Sequence, residues 1–106
     1  MKRKMNFFCI KIYDFHSGSL IRKINLNEKL KGLCLWSNNY LFVGSDRSII
    51  LLDLTNLSII KKFGGHENFV LTLKKIYIPQ YGECLVSQET NNNIILWTYK
   101  NENKKD

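Results

Sequence analysis

Two histidines, three cysteines and a few isolated aspartates are the residues whose side chains could carry acid–base, nucleophilic or metal chemistry. His66, after Gly64-Gly65, is the first candidate for a catalytic base or a metal ligand. No second ligand stands near it at a recognisable spacing, and His16 sits in a different turn context. Asp46, in Gly-Ser-Asp-Arg, could be read as an acid or a metal ligand, but an Asp ahead of a buried strand far more often caps a turn. Asp14 and Asp53, each just past an apolar run, read as turn formers in the same way. Cys9, Cys34 and Cys84 are separated by 25 and 50 residues, which matches no zinc or redox spacing. Each lies in an apolar stretch, where a free Cys acts as a small hydrophobe, and the odd count fits a reducing compartment. No paired carboxylates, Gly-rich phosphate loop or Ser-His-Asp grouping stands out, and Gly64-Gly65 reads as a turn. The expectation is a protein without catalytic residues, cofactor or metal.

The elements that must position these residues are strands. Short runs of Ile, Leu, Val, Phe and Tyr recur at roughly 7–13, 19–25, 31–36, 40–44, 48–53, 58–63, 69–76, 84–88 and 93–99. Clusters of Asn, Ser, Gly and Asp separate them, including GSDR at 44–47, GGHEN at 64–68 and ETNNN at 89–93. Such residues tolerate positive φ or bond to their own backbone, which makes tight antiparallel connections cheap.

With 106 residues the chain has room for one small domain. No apolar run approaches the ~20 residues of a membrane span, and Phe7–Ile10 is too short for a signal-peptide core. A cytoplasmic or nuclear site is the default expectation. The net charge of +7 invites an anionic partner, yet Lys2, Arg3 and Lys4 supply three of those charges. Basic residues are not interleaved with aromatics along one surface, which argues against nucleic acid.

Internal repetition is the informative signal. Ile10-Lys-Ile-Tyr-Asp14 recurs as Ile49-Ile-Leu-Leu-Asp53 and as Ile94-Ile-Leu-Trp-Thr98, at separations of 39 and 45 residues. Segment 40–49 lines up with 83–94, and a turn and a basic-apolar strand follow both Asp14 and Asp53. In the last copy Gly65-His66 is followed 31 residues beyond His66 by Trp97, with Ser87 and Asn91 between. This pattern resembles the WD40 β-propeller family, whose repeat runs from Gly-His through three strands to Trp-Asp, with a fourth strand after it. Thr98 replaces the usual closing Asp, and the middle copy has Leu52 for Trp.

The resemblance implies an all-β fold of antiparallel four-stranded blades in an incomplete, open ring. The expected organisation is a basic extension at 1–6, a partial propeller at 7–99 and a polar tail at 100–106. Within the propeller the blades fall at 7–26, 27–63 and 64–99, the last with three strands. It further implies a hydrogen-bonded chain through His66, Ser87, Asn91 and Trp97, with Asp46 as the turn Asp of the middle copy. A propeller closes with about four to eight blades, so the chain is expected to be a fragment of a longer ring or an array completed by other chains. The implied function is a non-catalytic protein–protein scaffold, with Arg47, Glu67 and Asn68 as candidate partner-binding loop residues and self-association possible through open blade ends. The alternatives are nucleic-acid or anionic-surface binding through the basic ends, or a truncated copy with no function of its own.

Overall fold

The unbroken apolar run Ile49-Ile-Leu-Leu52 forms the middle of a strand that is buried on both faces, with Ile49, Ile50 and Leu52 all shielded from solvent. The computed structural model describes residues 8–26 and 28–98. They form eight strands: β1 Phe8–Tyr13, β2 Leu20–Leu26, β3 Leu33–Ser37, β4 Tyr40–Gly44, β5 Asp46–Asp53, β6 Ser58–Ile78, β7 Gly82–Glu89 and β8 Ile94–Thr98. The protein is all-β and antiparallel. No helix among the described residues is long and apolar enough to cross a membrane.

The chain divides into two compact units, Met1–Leu30 and Lys31–Asp106. In the first, β1 and β2 form a hairpin. Asp14 builds its turn: its carboxylate accepts from Ser17 N and its carbonyl from Gly18 N, with Gly18 at φ 76°. In the second, six strands run in sequence order, β3-β4-β5-β6-β7-β8. Asp53 closes the β5–β6 turn by accepting from the backbone N–H and the hydroxyl of Thr55.

The expected GGHEN turn at 64–68 is instead the middle of a 21-residue β6. The first part of β6 pairs with β5 and the part from Val70 onward pairs with β7. Between the pairs Ser48↔Gly64 and Asp46↔Phe69, β6 advances five residues while β5 advances two. Residues 65–68 therefore bulge out, and the sheet curls there. The curl brings the second part of β6 against the start of β3 and the end of β4. A Cβ on Gly32 would stand 2.7 Å from Leu71 O, and one on Gly44 2.5 Å from Val70 O. Ile49, Val70, Leu73 and Leu85 make the core between the two halves. A chain of edge-to-face rings, Trp36–Phe42–Phe63–Trp97, spans it at 5.0–6.0 Å between centroids.

The pairing registers repeat. Ile10↔Ile24, Ile12↔Arg22 and the irregularity after Ile12 in the hairpin become Ile49↔Phe63, Leu51↔Lys61 and the irregularity after Leu51, all displaced by 39 residues. The ladder Leu33–Val43–Ile50 likewise becomes Leu73–Ser87–Ile95, and Leu35–Leu41–Leu52 becomes Lys75–Leu85–Trp97. In this register Val43 matches Ser87, one residue away from the match to Val86 that aligning 40–49 with 83–94 suggests.

Candidate functional site

The residues that the sequence singles out for chemistry meet beside the bulge in β6. Gly65 lies at φ 134°, a conformation glycine adopts most readily, and a Cβ there would stand 3.1 Å from the Trp97 ring. The next residue, His66, turns inward and is buried. Along β7, positions 85, 87 and 89 share one face because side chains alternate, so Ser87 and Glu89 both point at it. Opposite Ser87 and Leu85 in β8 are Ile95 and Trp97.

Trp97 Nε1–H donates to Ser87 Oγ at 2.7 Å. Ser87 O–H donates to His66 Nε2 at 2.6 Å, and His66 Nδ1–H donates to Glu89 Oε1 at 2.5 Å. This assignment of the imidazole tautomer gives every polar hydrogen of the chain an acceptor. Glu89 accepts further from Glu67 N at 3.1 Å, Asn68 Nδ2 at 3.5 Å and Asn93 Nδ2 at 3.4 Å. Burial pushes the Glu89 carboxyl up, but the hydrogen bonds from His66, Glu67 and Asn68 outweigh it and hold the group below the ordinary carboxylate value. Among the described residues, no buried side-chain nitrogen or oxygen lacks a partner.

Asn91 is not a member of this chain. The carboxylate is Glu89, and Asn91 is exposed in the β7–β8 turn, where its Oδ1 accepts from Asn93 N. Strand β7 runs through residue 89, which places Glu89 on the Ser87 face and sends Asn91 past the strand end. Reading ETNNN as a turn hid this; counting two residues on from Ser87 along an unbroken strand is the signal that finds Glu89. Asp46 also stands apart, in an exposed pair with Arg47 (3.4 Å). Ser45 and Ser48 hold that turn instead, through Ser45 N to Ser48 O at 2.9 Å and hydroxyl to hydroxyl at 2.8 Å.

Of the three loop candidates, Arg47 is exposed at the turn with φ 65°. Glu67 and Asn68 lie within β6; the Glu67 side chain is exposed, whereas Asn68 is half-buried and spends its amide on Glu89. Asn68 is thus a corrected expectation, a brace of the buried carboxylate. The cysteines are free, and burial pushes the Cys34 thiol up, with Lys75 acting weakly the other way.

Ser87, His66 and Glu89 have the connectivity of a serine nucleophile, its base and the carboxylate that orients it, a grouping the sequence reading did not find. Accessibility decides against that chemistry. Ser87 has no exposed surface, and its Oγ already accepts the indole N–H. A substrate carbonyl has no approach to that oxygen. The arrangement does different work: it ties β6, β7 and β8 together at the curl. The middle copy puts apolar side chains at two of these positions, since Val43 matches Ser87 and Leu52 matches Trp97, both fully buried, while the buried Ser45 matches Glu89.

No protein-family model and no curated protein matches the chain. Among solved structures it is similar to the computationally designed Ika4 protein, with a TM-score of 0.65 at 17% identity over 93% of this chain. The chain spans 64% of that protein's length. At this identity the likeness concerns the fold alone.

Proposed function

We propose that the protein is a non-catalytic scaffold for protein partners, built from WD40-like repeats and forming part of a larger propeller. The observation that carries this reading is the buried donor chain Trp97 → Ser87 → His66 → Glu89. Its residues stand at the Gly-His and Trp positions of the WD40-like pattern, and it commits the one Ser–His–carboxylate grouping described here to bracing strands. The repeated pairing registers support the same reading, because they describe strand units copied along the chain. With no accessible nucleophile in the grouping, the function falls to exposed side chains on the rigid sheet, of which Arg47 and Glu67 flank the curl.

Quantitative affinity capture with the parent, Arg47→Ala and Glu67→Ala tests the proposal. Exposed ion pairs such as Arg47–Asp46 contribute at most about 1 kcal/mol, so the variants keep their fold. A defined set of proteins held by the parent and lost from the variants at unchanged melting temperature supports the scaffold. Identical capture by all three rejects it.

A further inference from the structure

Among the described residues β8 ends the sheet, and beside it lies an aromatic cleft of about 530 Å³. Trp36, Phe42, Leu51, Phe63, Leu85 and Trp97 line it. The registers say what belongs there. Residues 49–53 of β5 and 10–13 of β1 match residues 94–98 of β8, and each carries a further antiparallel strand on the corresponding edge. For β5 that strand is the first part of β6, Ser-Ile-Ile-Lys-Lys-Phe; for β1 it is β2, Leu-Ile-Arg-Lys-Ile-Asn-Leu. Among the described residues β8 has no such neighbour. Leu51 and Phe63 stand in the wall of the cleft.

We propose that β8 is a strand-addition site: an extended segment of another polypeptide pairs with the β8 edge and lays apolar side chains into the cleft. An unpaired edge offers a row of backbone donors and acceptors, and the adjoining pocket selects alternate side chains. The two strands that hold this position elsewhere in the chain define the chemistry of the segment. It is short and extended, carries three or four Ile, Leu or Phe residues, and bears basic residues between them. Residues 99–106 are Tyr-Lys-Asn-Glu-Asn-Lys-Lys-Asp, with one aromatic and no aliphatic side chain, so their sequence does not meet that description. The inference rests on the repeat reading of the proposed function and specifies one mode of partner capture.

The chain has two tryptophans, and both line the cleft, so intrinsic fluorescence reports on this site directly. The probes are an acetylated, amidated peptide of residues 57–64 and the same peptide N-methylated at alternate amides on the pairing edge. The expected result is a saturable shift of tryptophan emission with the first peptide and at least about tenfold weaker binding by the second, since N-methylation removes two or more hydrogen bonds. No saturable shift overturns the proposal, and so does equal binding by both peptides, which would mean occupancy of the cleft without strand pairing. An emission shift with protein concentration alone, accompanied by a doubled mass in solution, also overturns it, because a second copy would then cover the edge. Loss of capture on Arg47→Ala or Glu67→Ala is read independently, so either idea can fail alone.

Discussion

His66 and Glu89 are 23 residues apart in sequence and meet at 2.5 Å, Nδ1 to Oε1, with both side chains buried. The contact joins the bulge of β6 to the end of β7, and the rest of the polar chain is organised around it. Four hydrogen bonds, from His66, Glu67, Asn68 and Asn93, converge on that one carboxylate, and Ser87 extends the network from the far side of the imidazole.

The carboxylate and the nearby turn amide are expected to behave differently on substitution. Glu89→Gln keeps the shape but turns an NH₂ toward the Asn68 and Asn93 amides, and it lowers the urea midpoint clearly. Asn91→Ala changes stability by no more than about 0.5 kcal/mol, as befits an exposed turn residue. Parallel urea titrations check the pair.

Acid should loosen the protein in a defined direction. The folded Glu89 carboxyl ionises below its ordinary value, so its contribution is complete above about pH 4.3 and is lost as pH falls through the lower folded value. Asp14 and Asp53 shift the same way through their hydrogen bonds to Ser17 and Thr55. Thermal melts from pH 7 to pH 2 should show falling Tm on the acid side, and Glu89→Gln should flatten that slope without abolishing it.

Ser87→Ala strands two groups at once, the buried His66 Nε2 acceptor and the half-buried Trp97 indole N–H. The expected cost is about 2–4 kcal/mol by denaturant unfolding. The parent protein, incubated with a fluorophosphonate, should keep its unmodified mass, because the Ser87 hydroxyl is out of reach.

Close backbone approach makes Gly44 sensitive. Gly44→Ala places a methyl 2.5 Å from Val70 O, where only backbone movement relieves the clash, and should cost about 3 kcal/mol. Gly18→Ala meets no atom, so its cost comes from positive φ alone and should be smaller. Thermal midpoints of the two variants test the order.

Most strands were legible because their apolar runs are bounded by residues with strong turn chemistry: Asp14 with Gly18, Asp53 with Thr55, and Tyr81-Gly82. Glu89 was not legible as a site residue. A Glu next to Thr-Asn-Asn-Asn looks like the start of a turn, and only the true length of β7 fixes which way it faces.

The sequence alone determined that this protein is β, where most of its strands fall, and that units of about forty residues recur in it, since apolar runs, turn residues and repetition are written along the chain itself. Tertiary structure decided that GGHEN would bulge within one long strand, that the sheet would curl there, and that Glu89 would complete the buried chain. Those outcomes depend on Gly32 and Gly44 admitting the backbone of β6, and on a carboxylate finding donors far away in sequence. No local pattern encodes a contact whose partners are brought together only by the packing of the sheet against itself.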